Sequence, residues 1–455
     1  MASLRKSKAD IQPKPVPGPE STSGSMRIWW LNPTIVFPIL MTVILIGAYY
    51  IPSDSYVSFY RVNKFISESN IIYSILPVCF FVLGGILASL AGRGTKPSKA
   101  FGEVIVKRDS FIKMWINLLF GFTMFGYAVW FLIMLRSGFS LSLFMNVLSG
   151  EPGAIYSIKE NFNNVAGVTS FTNFSVPFVI LTSYYLFYNK KKVYIWMLAI
   201  VFVCTMLRAV FFLERLAIME FIVPLAVVYF SMRAKIGRRP KFVGAYPIVG
   251  LLALVGFFGA SEYFRSWLSY YVNYYPSFWE FIVTRFFGYY VTAINTGTLY
   301  MQHLGFHWLP FPSSTAEFIW KFPGVPDNAY ESIYGFEPQA VINNTLATMG
   351  NPEFNNPSGL LQPYNDYGFS GALVFWVIVG FFTGVIYNQF KKGHTFGMMI
   401  YPIWLVGVLE IPRYFYFGSG RFFPCWIIII AFTLILHYNR KKLTTWRLRG
   451  VGADE

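Results

Sequence analysis

Eight arginines fall at the ends of long apolar runs or in the segments between them: Arg61, Arg136, Arg208, Arg215, Arg265, Arg285, Arg413 and Arg421. A guanidinium is planar and always charged, and its paired donors match the oxygens of a phosphate or carboxylate. This grouping predicts an anion-binding cavity, with Arg208, Arg215, Arg265, Arg285, Arg413 and Arg421 as ligands. Four carboxylates near the same run ends, Glu214, Glu262, Asp366 and Glu410, are candidates for a base that takes a proton from an attacking hydroxyl. Each residue also has a plainer reading. Glu262 with Arg265, and Glu410 with Arg413, have the i, i+3 spacing of ion pairs on one helix. Asp366, in Asn-Asp-x-Gly, suits a turn or a helix N-cap. The arginines can also snorkel, or pair with Glu214, Glu220, Glu262 or Glu410.

Other chemistry has less to stand on. His303 and His307 have helical i, i+4 spacing, but no third ligand accompanies them, so no metal site is expected. No GxGxxG, Walker, HExxH or GxSxG pattern occurs, and no cofactor is expected. The aromatics Tyr263, Trp267, Tyr270, Tyr271, Tyr274, Tyr275 and Trp279 could stack on sugar faces or form an interfacial belt. Cys79, Cys204 and Cys425 lie in apolar runs and are expected to be small buried hydrophobes.

The elements that must position these residues follow from composition. Of 455 residues, 55% are hydrophobic and only 13% charged, with mean hydropathy +0.48, against about a quarter charged in soluble chains. Continuous apolar runs such as Ile427 to Leu436 exclude an alternating β-barrel pattern. The expectation is an all-α polytopic membrane protein of about ten transmembrane helices. They fall near 29–50, 71–92, 113–135, 171–188, 193–211, 217–232, 242–260, 368–388, 395–411 and 422–438. Residues 1–28 and 439–455 are expected as cytoplasmic tails, the first disordered.

Charge supplies the orientation. If the N-terminus is cytoplasmic, alternate loops are basic, and 26 of the 37 cationic residues fall on that side with only six of the 21 acidic ones. Inside is then +20 and outside −4, which makes nucleic acid an unneeded partner despite the net charge of +16. Lysine dominates inside, whereas eight of the 11 outer cations are arginine. One outer segment, 261–367, is far longer than an ordinary connection and is expected to be an ordered lid of short or amphipathic helices. Within it, Phe278 to Gln302 reads as an amphipathic or re-entrant helix on the membrane surface, with a real span pair as the alternative. A smaller cap is expected over Arg136 to Ser170.

Three local patterns then give a resemblance. They are Glu214-Arg215-Leu216-Ala217; Arg285-Phe286-Phe287-Gly288-Tyr289-Tyr290 running to Asn295; and Tyr364-Asn365-Asp366-Tyr367-Gly368-Phe369-Ser370-Gly371, followed by Gly380 and Gly384. With the span count, the long late loop and Arg413, the chain resembles the bacterial O-antigen (Wzy-type) repeat-unit polymerases of the C-type membrane glycosyltransferase superfamily. The resemblance implies a multi-pass protein of the bacterial inner (plasma) membrane whose long loop is periplasmic. It implies an enzyme that joins undecaprenyl-pyrophosphate-linked oligosaccharide units, one as donor and one as acceptor, into O-antigen or related surface polysaccharide. Membrane lipid and a chain-length regulator protein are the implied partners. Arg215 and Arg285 match the family's arginine motifs and are the implied pyrophosphate ligands.

Three other readings compete. An O-antigen ligase would share an arginine-lined cavity but transfer to lipid A core. A flippase or transporter for an anionic lipid would show internal repeats and broken helices near the midplane, and neither is visible in the sequence. A purely structural subunit leaves segment 261–367 without a purpose.

Overall fold

A computed structural model describes residues 28–451, except 95, 99, 138–139, 150, 152–166, 213–214, 239 and 269. Among the described residues the chain is helical, with no strand. The long helices are α1 (Pro33–Tyr50), α2 (Ile72–Ala91), α3 (Asp109–Arg136), α4 (Ser175–Tyr188), α5 (Lys192–Phe212), α6 (Arg215–Lys235), α7 (Tyr246–Glu262), α8 (Phe278–His303), α9 (Gln362–Lys392), α10 (Thr395–Glu410) and α11 (Phe423–Val451).

All ten predicted apolar runs are helical, and seven of the helices are long and apolar enough to cross a membrane: α1, α2, α3, α5, α6, α7 and α9. The chain is a multi-pass membrane protein by that measure. The other three runs are shorter: α4 has 14 residues, α10 has 16, and the apolar part of α11 is Phe423–Tyr438. The first two are short because they are interior. Every residue from Val176 to Tyr185 of α4 is buried, as are all but three residues of α10, so protein rather than lipid surrounds them.

The tightest helix pair joins α2 to α9. A side chain at Gly84 would collide with the backbone of α9 at Val377, and one at Gly380 with the backbone of α2 at Phe81. Small residues let two backbones meet where no hydrophobic effect drives association. Phe37, Phe81 and Trp376 then fill the space beside that seam, with ring centroids 4.4 Å apart for Phe37–Phe81 and 6.1 Å for Phe81–Trp376.

Apart from α8, successive helices alternate between two ends. At one end Trp30 Nε1 donates to Val243 O (3.0 Å), Ser98 N–H to Lys392 O (2.7 Å) and Tyr185 OH to Asp109 (2.7 Å). These contacts gather the Lys-rich loops. At the opposite end Tyr364 OH donates to Tyr73 O (2.9 Å), Cys425 Sγ to Asn173 O (3.6 Å) and Tyr416 OH to Glu220 (2.7 Å). The arginines first singled out lie at this second end.

Several expectations change. The predicted span at 368 starts at Gln362, because Pro363 opens the helix and Gly368, at φ 68°, kinks it instead of delaying it. The expected tail 439–455 continues α11 to Val451, and residues 1–27 lie outside the described residues. So do residues 138–139, 150 and 152–166 of the expected cap, although Leu141–Leu148 of that region is helical. Of the cysteines only Cys425 is buried; Cys79 is exposed beside an apolar groove between α1 and α2.

The segment 263–361 is folded onto the second end. Its α8 meets α7 at Gly259, α1 at Gly47 and Leu361 beside the start of α9. The second half of α8 is enclosed by protein, every residue from Val291 to Met301 being buried, whereas Trp279, Val283 and Phe287 of its first half are exposed. Asn295 ties it down, donating from Nδ2 to Asn63 O (2.8 Å) and accepting from Phe65 N–H (2.7 Å). Further along, Phe311, Trp320, Tyr330 and Tyr334 make a small aromatic core, with Trp320–Tyr330 centroids 4.7 Å apart.

Candidate functional site

Two polar clusters occupy the second end. The first surrounds the turn between α10 and α11. Glu410, the last residue of α10, accepts from Arg413 Nη1 through Oε2 at 2.9 Å, the i, i+3 pairing that the spacing predicts. Among the described residues the buried Nε of Arg413 has no hydrogen-bond partner. Eight residues on, Arg421 grips Glu220 of α6 with Nε at 2.8 Å from Oε1 and Nη2 at 2.7 Å from Oε2, and Tyr416 OH completes the shell at 2.7 Å. Both carboxylates are buried, so each needs its cation. Arg208 of α5 donates from Nη1 to Thr172 at 2.5 Å nearby.

This turn is covered by the long segment. Thr315 places its carbonyl against Gly418, and Phe318 stacks on Phe423 with centroids 5.0 Å apart. Asp366 holds that cover in place. Its Oδ1 accepts the backbone N–H groups of Ser313 and Ser314, both at 3.1 Å, while Oδ2 accepts the N–H (2.7 Å) and hydroxyl (2.6 Å) of Thr315. Asp366 is therefore neither the N-cap of its own helix, which Leu361 precedes, nor a carboxylate with lone pairs to spare for a base.

The second cluster is built on α7 and α8. Arg285 is only 4% exposed, and its Nε donates to Glu262 Oε2 at 2.9 Å, its Nη1 to Tyr271 OH at 3.1 Å and its Nη2 to Glu353 Oε1. The rings of Tyr271, Phe354, Phe281 and Tyr289 surround the guanidinium at 4.9 to 6.0 Å. Arg61 joins from the α1–α2 connection, donating to Glu353 Oε2 and, at 3.2 Å, to Tyr271 OH. Burial alone would raise the Glu353 carboxyl, but the Arg285 and Arg61 guanidiniums outweigh it and hold it below the usual carboxylate range. Burial pushes the Tyr271 hydroxyl up to about 12, so it stays a donor.

Tyr289 and Tyr290 of α8 stand between the clusters. Tyr289 faces Arg285, and both tyrosines lie within electrostatic range of Arg413. The six predicted anion ligands thus divide. Arg413, Arg421 and Arg208 belong to the first cluster and Arg285 to the second. The backbones of Arg215, opening α6, and Arg265 are described, but their side chains and the whole of Glu214 lie outside the described residues. Glu262 turns to Arg285 and accepts a further bond from Ser266 (2.6 Å). A π-helical turn over Tyr263–Trp267 follows it, and the expected pairing of Glu262 with Arg265 falls on a side chain outside the described residues.

The sequence reading missed Glu353, Arg61's link to it, and Tyr271 as a hydrogen-bonding group. Glu353 sits in a short turn at Pro352–Phe354, far along the chain from both arginines, with no periodicity to mark it. The other aromatics split: Trp267 and Tyr271 are core, whereas Tyr270, Tyr274 and Trp279 are exposed. His303 ends α8 and His307 lies beyond it, with Nδ1 2.7 Å from Asp366 O, so the two do not share a helix. Among the described residues no three His, Cys, Asp or Glu side chains are grouped to hold a metal.

No family model matches the chain, and no curated protein or solved structure is similar to it.

Proposed function

We infer that the protein is an inner-membrane glycosyltransferase that polymerises undecaprenyl-pyrophosphate-linked oligosaccharide repeat units into O-antigen or a related surface polysaccharide. In this reading both termini are cytoplasmic, the second end faces the periplasm, and the long segment is the lid of a cavity open to the outer leaflet. The observation that carries it is Arg413: a guanidinium with a buried, unpartnered Nε, beneath a folded cover at the end of a membrane bundle. A donor is kept dry there only at a cost, and an anionic lipid headgroup entering beside it would supply the missing acceptor.

The chemistry follows from the charges. The acceptor sugar hydroxyl attacks the anomeric carbon of the donor glycan, a new glycosidic C–O bond forms, and the bond from that carbon to the pyrophosphate oxygen breaks. The departing pyrophosphate keeps the electron pair, and Arg413 with Arg215 stabilises that charge. The proton goes to a carboxylate, for which Glu410 is the best placed of those described. It spends Oε2 on Arg413, whereas Glu220 accepts from three donor atoms, Glu262 from at least two and Asp366 from four.

Surface glycan from a strain lacking the gene tests this. A polymerase leaves lipid carrying single repeat units; accumulated polymer that is not attached to lipid would assign the chain to ligation instead.

A further inference from the structure

Glu353 occupies a position built from donors. Its two oxygens are shared out, Oε1 to Arg285 and Oε2 to Arg61, while the Tyr271 hydroxyl lies 3.3 and 3.1 Å from them. The Tyr271 oxygen accepts from both guanidiniums, so its own proton is directed at the carboxylate. Two planar cations and one hydroxyl converging on two oxygens is the arrangement that recognises a phosphate oxyanion.

The two carboxylates of the cluster are not equivalent. Glu262 ends α7, is fully buried and is held by Ser266, so it is a permanent counter-charge for Arg285. Glu353 stands on a three-residue turn, with 22% of its side chain exposed, and neighbours an Arg61 side chain that is 49% exposed. Among the described residues, taking Glu353 away leaves Arg61 and Arg285 with Glu262 as the remaining carboxylate. Four aromatic rings would still hold Arg285 where it is. The donors are organised before any ligand arrives, and a dianion interacts with them more strongly than a carboxylate does.

We propose that Arg61, Arg285 and Tyr271 form a second anion site, for a phosphate or pyrophosphate group, and that Glu353 is its resident occupant, displaced when the ligand binds. A reaction between two pyrophosphate-linked substrates needs two such sites, so the choice of ligand class rests on the glycan-transfer reading. The site itself rests on the geometry alone.

Titration calorimetry on the full-length protein, purified in detergent, with inorganic pyrophosphate as probe, tests the displacement. An internal competitor weakens apparent affinity by the fraction of time that it holds the site. If Glu353 is in place about nine-tenths of the time, Glu353→Gln should bind pyrophosphate about tenfold more tightly than wild type. A parallel arm uses nanodiscs of phosphatidylcholine with or without phosphatidic acid. A gain with pyrophosphate alone identifies a free anion, a gain with both identifies a lipid-borne phosphate, and each supports the site. No gain in either arm overturns it, as does a gain that persists in Glu353→Gln/Arg61→Gln. Should Glu353→Gln fail to fold, Arg61→Gln alone decides: it must weaken pyrophosphate binding relative to wild type, and unchanged binding overturns the proposal. Because this assay contains no glycan, its failure beside intact polymerisation removes only the second site, whereas a strain phenotype of ligation removes only the reaction.

Discussion

Arg413→Lys should accumulate to wild-type levels in the membrane and lose nearly all polymer. Lysine keeps the positive charge, so the ion pair with buried Glu410 survives and the fold with it. What lysine lacks is the planar, paired donor set, including the Nε that now sits buried without a partner. Removing one preorganised donor from a developing negative charge costs about 2.7–4 kcal/mol, on the order of 100- to 1000-fold in rate. Arg215→Lys should behave in the same way if its guanidinium joins Arg413 on the leaving group. Immunoblot for abundance and gel analysis of surface glycan for length separate the outcomes. Wild-type glycan from Arg413→Lys would make this arginine an anchor for the turn and nothing more.

Arg421→Met should do the opposite, costing stability before activity. Glu220 is buried, and Arg421 satisfies both of its oxygens. Deleting the cation leaves an uncompensated charge that, among the described residues, only Tyr416 addresses, which costs roughly 3–5 kcal/mol in comparable buried pairs. Purified protein should melt well below wild type. Because the cost comes from the orphaned carboxylate, adding Glu220→Gln should recover most of the loss. A single variant that melts with wild type, or a double variant no better than the single, contradicts this account of the pair.

These two arginines also show where the sequence was legible. Glu410 and Arg413 stand at i, i+3, and the structure pairs them. The same spacing for Glu262 and Arg265 falls on an Arg265 side chain outside the described residues, and the partner that the structure does describe, Arg285, stands 23 residues on, beyond any local pattern. The ten apolar runs were readable because burial in lipid or protein demands continuous hydrophobicity, whichever of the two surrounds the helix. Their depth was not. Runs of similar character became long spans such as α2 and short enclosed helices such as α4, and only packing decides between them. Helix α8 has the charges and glycines of a surface helix, yet protein encloses its second half. Asp366 reads as a cap because Asp commonly binds N–H groups. It does bind them, but on a loop some 50 residues upstream, a separation that no local pattern carries. Glu353 is the extreme case, joining residues 292 and 68 positions away.

Reconstitution separates joining of repeat units from every other reading: the purified protein is placed in nanodiscs and supplied with one undecaprenyl-pyrophosphate-linked repeat unit and nothing else. A ladder of lipid-linked products rising by one repeat unit at a time is expected, with free undecaprenyl pyrophosphate released in step, and no ladder from Arg413→Lys. Repeat units recovered unchanged from folded wild-type protein, or moved across the bilayer without being joined, would contradict polymerisation.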